Sequence, residues 1–317
     1  MLECFIYSLS AVAPILFMIL LGNILSRKML TRSFFDQCDK LVFKVALPVY
    51  IFSKLVSADL SQLPEMSAII FCMAAIFTTF LLVSIGAYFF LPLEKRGSFV
   101  HGTFRANFSI IGFVLAETML DESGATAIAC ATPFIIILSN ILATATLTIN
   151  MPREKRMSFG KLVLNIIKNI STNPLIWSII ISLPFMIFGI KLPEIATDSL
   201  NYLKNIATPL ALLSLGAVSP SEEKVRIMPE AVVASIIKLI VMPAAFISIA
   251  YLLGLRGNSI ALVMVLGTSP TAVTSYIMSK SMHSHAELAR QIVLFTTVCC
   301  SFTIFVFAFI LRYLQII

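Results

Sequence analysis

The stretch Val45-Ala46-Leu47-Pro48 has a counterpart in Ile206-Ala207-Thr208-Pro209, and the two prolines are 161 positions apart. Each stretch continues into an apolar run that reaches a serine at the same spacing, Ser53 in the first case and Ser214 in the second. The same displacement relates Ser98 to Ser259, Asn107 to Thr268 and Ala125 to Ala286. A displacement shared by several pairs, in an apolar chain, is typical of the internal repeats of secondary transporters.

The composition is that of a membrane protein. Hydrophobic residues make up 59% of the 317 residues, charged residues only 12%, and the mean hydropathy is +0.97. A soluble domain usually has about twice that charged fraction. The apolar runs are too long for barrel strands and do not alternate, and backbone groups in lipid must be satisfied within a segment. The sequence therefore predicts an all-α polytopic membrane protein.

The apolar runs predict ten transmembrane helices, because about 20 mostly apolar residues cross the hydrocarbon. Their predicted limits are 6–26, 38–56, 67–91, 97–119, 124–149, 161–189, 194–218, 227–254, 258–279 and 286–314. Residues 1–150 and 161–317 each hold half of these helices, and a short cytoplasmic linker at 151–160 joins them. Because five helices per half is an odd number, the second repeat enters the membrane inverted relative to the first.

Lysine and arginine are unevenly distributed over the predicted loops. If the N-terminus is outside, most of the 23 cations lie in or beside cytoplasmic loops. This distribution predicts extracytoplasmic N- and C-termini in a multi-pass protein of the cell (inner) membrane. The net charge of +7 therefore reflects topology, and no nucleic-acid partner is expected.

Two polar strings interrupt the predicted fourth and ninth helices at corresponding depths. They are Arg105-Ala106-Asn107-Phe108-Ser109-Ile110-Ile111-Gly112 and Gly267-Thr268-Ser269-Pro270-Thr271-Ala272-Val273-Thr274-Ser275. Each lies about ten residues into its span, which is roughly 15 Å into a ~30 Å core. Pro270 cannot complete the helical ladder, and the exposed ends of half-helices favour anions. The alternative is that these hydroxyls bond back to their own helix and that glycine serves packing.

These strings give the candidate site residues. We expect the substrate to be bound by Asn107, Arg105, Ser109, Thr268, Ser269, Thr271 and Thr274, and the helix breaks to be shaped by Gly112 and Pro270. Arg105 either attracts an organic anion or pairs with a structural partner, since a charge inside a membrane faces a cavity or a partner.

Three further polar residues are candidates for coupling or charge. Lys238 stands near the middle of the eighth span, where it either takes part in coupling or bonds to helix-end carbonyls as a structural lysine. Glu117 lies near the outer end of the fourth span, where simple solvent exposure is the alternative to ion coupling. Gln291 lies early in the tenth span and either faces the ninth-span break or packs against a neighbouring helix.

The sequence shows no motif for a metal, a cofactor or catalysis. Its six cysteines lack paired metal spacing, and His283 and His285, two residues apart, would lie on different faces of a helix. No glycine-rich phosphate loop, His-Glu metal motif or Ser/His/Asp set is found. The sequence therefore predicts neither an enzyme nor a carrier driven by ATP.

Several motifs resemble those of the auxin efflux carrier family, over essentially the whole chain. They are Leu41 to Pro48 with Phe52-Ser53, Arg105-x-Asn107-x-x-x-x-Gly112, Pro209 to Gly216, Lys238 to Pro243, and Ser269-Pro270-Thr271-Ala272. The short linker is similar to that of the bacterial branch rather than to the long loop of the PIN-formed plant carriers. The chain departs from the family pattern at Val114 and Thr274, where many members have proline and asparagine.

The resemblance implies broken fourth and ninth helices that cross, as in the bile-acid-symporter-like fold. It also implies a scaffold of spans 1, 2, 6 and 7, with spans 3–5 and 8–10 moving as a transport domain in an elevator motion. Related carriers pair through their scaffolds, so a homodimer is expected. The implied substrates are small organic anions, auxin-like or dicarboxylate, that are exported after contact with Asn107 and Pro270-Thr271. The alternatives are a sodium-coupled symporter of the bile-acid type and a ligand sensor that does not transport.

Overall fold

A computed structural model describes residues 2–57, 66–120, 122–150, 160, 163–164, 167–168, 171–217 and 227–316. Nearly all of the predicted linker at 151–160 lies outside these residues. Within them the principal elements are helices, with one isolated β-bridge. The first seven helices are α1 (Leu2–Lys28), α2 (Arg32–Leu41), α3 (Leu47–Val56), α4 (Met66–Phe90), α5 (Leu93–Phe104), α6 (Phe108–Met119) and α7 (Glu122–Ile149). The others are α8 (Pro174–Phe188), α9 (Glu194–Gly216), α10 (Pro229–Ile236), α11 (Met242–Leu252), α12 (Gly257–Thr268), α13 (Thr274–Ser281) and α14 (Ala286–Tyr313).

Four helical segments of the described chain are long and apolar enough, by length and composition, to cross a membrane. They are Met66–Phe90, Gly124–Ile149, Pro229–Leu252 and Ala286–Tyr313. On the first of them Phe89 and Phe90 are 73% and 86% exposed, which is the surface expected against lipid. The fold is thus that of a helical membrane protein, while the ten-span count and the inverted repeat stay predictions.

A π-helical turn precedes a proline at two places. Residues Val42–Ala46 join α2 to α3 just before Pro48, and residues Ile237–Val241 join α10 to α11 just before Pro243. Proline lacks an amide hydrogen and its ring crowds the preceding turn, so the helix widens there instead of ending. The second of these wide turns contains Lys238, whose side chain is fully buried.

The fourth and ninth predicted spans are each divided into two helices, at the strings where the sequence predicts a break. The chain leaves helical geometry at residues 105–107, between α5 and α6, and at residues 269–273, between α12 and α13. We call these two segments together the junction. Ala106 and Thr271 pair there in an antiparallel bridge, and the amide of Ala272 donates to the carbonyl oxygen of Arg105 at 3.2 Å.

The half-helices that lead into the junction form the interior of the bundle. All residues from Ser259 to Thr268 in α12, and all from Gly97 to Phe104 in α5, are buried. In the first turn of α5, Lys95 forms an ion pair with Glu230 of α10 at 2.8 Å. We call this end of the bundle, where α5, α10 and α14 begin, the Lys95 end. The C-terminal ends of α5 and α12 therefore lie in the buried interior, at the junction.

Helix α3 packs against α8 and α9, and α9 also packs against α1. A Cβ atom on Gly22 of α1 would overlap the backbone of Leu213, and one on Gly216 of α9 would overlap the backbone of Ile19. The two helices therefore touch backbone to backbone, a contact that only glycine permits. These helices correspond to predicted spans 1, 2, 6 and 7, although their role as a scaffold stays a prediction.

Candidate functional site

A cavity of about 660 Å³ lies against the junction, within the size range of small-molecule sites. Its polar lining comes from the junction and from the helices around it: Arg105, Asn107, Ser139, Asn140, Thr172, Asn173 and Thr274. Its apolar lining includes Phe43, Ile135, Ile136, Ile277 and Met278. No aspartate or glutamate is found among the described residues that line it, so its electrostatic character is positive.

The guanidinium of Arg105 is held at the wall of this cavity by neutral groups. One terminal nitrogen donates to Asn140 Oδ1 at 2.7 Å, and the other donates to the backbone oxygen of Ser139 at 3.4 Å. The described residues place no carboxylate within ion-pair distance of it. The guanidinium is thus positioned by neutral groups of α7 at the cavity wall, without an ion-pair partner among the described residues.

Asn107 uses its backbone and its side chain differently. Its backbone amide donates to the carbonyl oxygen of Pro270 at 2.7 Å, and its carbonyl oxygen accepts from the amide of Ile111 at 3.0 Å. Its side chain is buried and lines the cavity, and its Nδ2 has no hydrogen-bond partner within the described chain. A buried amide donor without a partner is costly, so this nitrogen is suited to a ligand acceptor.

Two helices begin at the cavity wall. Phe108 is the first residue of α6 and Thr274 the first of α13, and both line the cavity. The positive end of the helix dipole favours an anion there. At α13 the contribution is that of the dipole, because the amides of Ser275 and Tyr276 already donate to the carbonyl oxygens of Ala272 and Val273. Together with Arg105 and the side-chain amide of Asn107, these helix ends give the cavity several groups suited to a carboxylate.

Three of the predicted substrate hydroxyls donate to backbone carbonyl oxygens of the protein. The hydroxyls of Thr268 and Ser269 donate to the carbonyl oxygens of Met264 and Val265, one turn back in their own chain. The Thr271 hydroxyl donates to the carbonyl oxygen of Gly102 at 2.6 Å. None of these three residues is among those lining the cavity, because each hydroxyl is turned towards a carbonyl of a half-helix.

The two predicted break residues have different positions. Pro270 lies in the junction, and its carbonyl oxygen accepts the bond from Asn107. Gly112 lies inside α6, past the break, where a Cβ atom would meet Ile128 Cγ2 at 3.4 Å. Gly112 is therefore placed for packing against α7, and the break itself comes before it.

The remaining candidates lie away from the cavity or outside the described side chains. Lys238 is fully buried and its Nζ has no hydrogen-bond partner among the described residues. Gln291 Oε1 accepts from the backbone amide of Met228 at 2.9 Å, so this residue joins α14 to the chain before α10. The side chains of Ser109 and Glu117 lie outside the described residues, and their roles stay predictions.

Sequence reasoning missed the residues that hold the arginine. The carbonyl of Ser139 and the side chain of Asn140 lie in α7, 34 and 35 positions after Arg105. The available signal was an asparagine inside an apolar span, since such a residue in a membrane usually has a partner. No group of three or more His, Cys, Asp or Glu side chains that could hold a metal occurs in the described part of the chain.

The fold and the cavity together define a class of protein: a helical membrane protein with a polar, anion-compatible site at two broken helices. The family model described as membrane transport protein matches residues 7–308. The chain therefore belongs to the membrane transport protein family, in which the auxin efflux carriers are found, and it is a membrane transporter.

Individual relatives agree with this family. An uncharacterized transporter of Methanocaldococcus jannaschii is 27% identical over 270 residues, which cover 82% of this chain and 84% of the relative. An uncharacterized transporter of Methanothermobacter thermautotrophicus is 22% identical over 301 residues, covering 93% and 95%. A probable auxin efflux carrier component 5b of Oryza sativa subsp. japonica is 23% identical over 128 residues, covering 40% and 35%.

Proposed function

We propose that this protein is a secondary carrier of small organic anions, and that the cavity at the junction binds the substrate carboxylate. The observation that carries the proposal is the cavity wall. There, the guanidinium of Arg105, which has no carboxylate partner among the described residues, lies beside the first residues of two helices. The side-chain nitrogen of Asn107, which has no hydrogen-bond partner there, lies on the same wall. The guanidinium and the helix ends favour a negative charge, and the Asn107 side chain offers a hydrogen bond to its oxygen.

The dimensions and lining of the cavity support a small carboxylate with an apolar portion. Its volume of about 660 Å³ exceeds what a simple dicarboxylate needs, and Phe43, Ile135 and Ile136 supply apolar wall beside the polar groups. In such sites a few polar groups fix the orientation of the ligand and apolar contacts provide the remaining affinity. Auxin-like monocarboxylates and short dicarboxylates are therefore the substrates to test first.

The proposal includes an inward-facing state. Thr172 and Met282 line the cavity, and Met282 lies two residues before Ser284, whose hydroxyl is 2.9 Å from that of Ser98 at the Lys95 end. In the orientation that the cation distribution predicts, with both termini extracytoplasmic in the inner membrane, the Lys95 end faces the cytoplasm. Efflux of the anion from this state follows by analogy with the family.

The proposed mechanism is alternating access by an elevator motion. Helices α1, α3, α8 and α9 would form the scaffold and the homodimer contact, while the junction and the helices around it would carry the substrate. The backbone contact at Gly22 and Gly216 supports a rigid scaffold. The bonds between the two breaks support movement of α5, α6, α12 and α13 as one unit.

Counterflow in proteoliposomes tests the proposal. The purified protein would be loaded with one carboxylate, and uptake of labelled mono- and dicarboxylates would be measured with and without a sodium gradient. We expect sodium-independent exchange of at least one carboxylate, strongly reduced in Arg105→Gln. The variant Arg256→Gln is the matched control, because Arg256 lies before α12 and bonds the backbone of Tyr251 and Leu255, far from the cavity.

Other outcomes of this experiment distinguish the alternatives. Exchange that requires sodium would favour a symporter of the bile-acid type. Ligand-induced thermal stabilisation without any exchange would favour a sensor. Exchange that is equally fast in Arg105→Gln and wild type would show that the guanidinium does not bind the substrate.

A further inference from the structure

Lys238 is an intramembrane cation that the cavity does not use. Its side chain is 0% exposed, its Nζ has no hydrogen-bond partner among the described residues, and it is absent from the cavity lining. Lysine is almost never fully buried without a partner, and a charge inside a membrane usually serves function. The question is therefore which group balances the ammonium.

The elements around Lys238 offer no carboxylate at its depth. Its π-helical turn Ile237–Val241 packs against α5, α12 and α14 and continues α10 and α11. Glu230 lies eight residues before Lys238, about 12 Å along the helix, and is paired with Lys95. Described charged side chains on these elements are Glu94, Lys95 and Arg96 on α5, Glu230 on α10, and Glu287, Arg290 and Arg312 on α14; the other titratable groups are His101 on α5, Tyr251 on α11, and Cys299, Cys300 and Tyr313 on α14. The three acids among them lie at the Lys95 end.

Two helix ends supply the missing negative potential. Helices α5 and α12 both end at the junction, and the C-terminal end of a helix carries about half a negative charge. The turn that contains Lys238 packs against both helices. The approach is close, because a Cβ atom on Gly267 of α12 would lie 2.9 Å from Pro243 Cα. Two such ends together carry about one negative charge, which favours an ammonium in their neighbourhood.

We propose that Lys238 is a fixed positive charge of the moving part of the carrier, favoured by the negative potential of the C-terminal ends of α5 and α12. The proposal rests on the proposed function in one respect, since it requires that these helices move across the membrane field. Arg105 then supplies the second positive charge at this depth, and it is the one offered to the substrate. The empty carrier moves both charges, and a bound dianion would cancel them.

This charge has a consequence for transport. In a membrane potential that is negative inside, an empty carrier with two positive charges is held in its inward-facing state. Binding an anion lowers the charge that must move, so the loaded carrier crosses more readily than the empty one. Exchange of anions is therefore expected to be less sensitive to potential than net flux.

The test is the charge movement of the substrate-free carrier. Proteoliposomes of the full chain would be given a voltage step without any carboxylate, and the transient charge per carrier would be measured. Because one of two fixed charges is removed, we expect the transient in Lys238→Met to fall to about half of the wild-type value. Lys238→Arg should keep the wild-type transient, and Lys204→Met, on α9 of the proposed scaffold, should leave it unchanged.

Each result decides the proposal. A wild-type carrier without a transient, or an equal transient in Lys238→Met, overturns it, because Lys238 then carries no moving charge. If Lys238→Met does not fold, Lys238→Gln takes its place under the same expectation. Counterflow of carboxylates in the same vesicles keeps the two hypotheses apart. A halved transient without any exchange contradicts the proposed function alone, and exchange with an equal transient contradicts this inference alone.

Discussion

The backbone amide of Asn107 donates a hydrogen bond of 2.7 Å to the carbonyl oxygen of Pro270. This bond joins the break between α5 and α6 to the break between α12 and α13, which belong to different halves of the chain. Since the backbone of Asn107 holds the junction, its side chain is left for the cavity. One residue thus connects the stability of the junction with ligand binding, and substitutions of its side chain separate the two.

Replacing Asn107 with alanine should weaken binding without unfolding the protein. The substitution leaves the backbone bond to Pro270 in place and removes a side-chain nitrogen that has no partner within the described chain. A hydrogen bond to a charged ligand contributes about 1.5–3 kcal/mol, so affinity should fall by about 10-fold to 100-fold. Titration of the ligand that counterflow identifies, with thermal unfolding in parallel, measures both quantities.

The matched control is Asn205→Ala. Asn205 is exposed on α9, away from the cavity, and it should change neither affinity nor stability. Wild-type affinity in Asn107→Ala would remove this side chain from the site. A large loss of thermal stability in Asn107→Ala, compared with Asn205→Ala, would show a structural role instead.

The positions of the breaks could be predicted from the sequence, whereas the direction of the hydroxyls could not. Pro270 stands in a run of hydroxyl residues, and that combination indicates the break, whereas Pro133 and Pro209 lie inside uninterrupted helices. Whether the hydroxyl of Ser269 faces a ligand or the carbonyl of Val265 depends on one side-chain torsion, which residue type leaves open. The contact between Arg105 and Asn140 depends on how α7 packs beside the junction, and no local pattern encodes it.

Substitutions at Thr271 and Thr268 compare the contributions of two hydrogen bonds to stability. The bond of Thr271 joins two helices, whereas that of Thr268 lies within one helix. Valine keeps the shape of either side chain and removes its hydroxyl. In Thr271→Val the carbonyl of Gly102 loses a donor from another helix, and a buried acceptor without a partner costs about 1–3 kcal/mol. In Thr268→Val only a bond to Met264, within the same helix, is lost.

We therefore expect Thr271→Val to lower the unfolding temperature clearly more than Thr268→Val. Thermal unfolding in detergent, followed by tryptophan fluorescence or light scattering, compares the two variants with wild type. An equal effect of the two substitutions would mean that the bond to Gly102 adds nothing to the junction. Reduced transport in Thr271→Val at unchanged stability would indicate that this hydroxyl contacts the substrate.

Replacing Pro270 with alanine should slow turnover more than it weakens binding. Alanine restores an amide hydrogen at a position where the chain is extended, which favours continuation of α12 through residues 269–273. The carbonyl that accepts from Asn107 is retained, so the cavity can still form. Rates and half-saturation concentrations from counterflow separate the two effects. Unchanged turnover would show that the break persists without the proline.

The contact between α1 and α9 gives a test of the proposed scaffold. A Cβ atom at position 216 would overlap the backbone of Ile19, so Gly216→Ala must push the two helices apart. Overpacking of this kind typically costs about 1–3 kcal/mol, and thermal unfolding should show the loss. Gly86→Ala is the matched control, because no atom lies within 4 Å of its added Cβ and alanine is the better helix former.

Gly22→Ala should have the same effect as Gly216→Ala, since a Cβ atom there would overlap the backbone of Leu213. Both substitutions relieve their overlap by separating the same two helices. Their effects on stability should therefore be less than additive in the double variant, because the first separation already makes room for the second methyl group. Strict additivity, measured by thermal unfolding of the three variants, would mean that the two glycines lie in independent contacts and that α1 and α9 do not form one rigid pair.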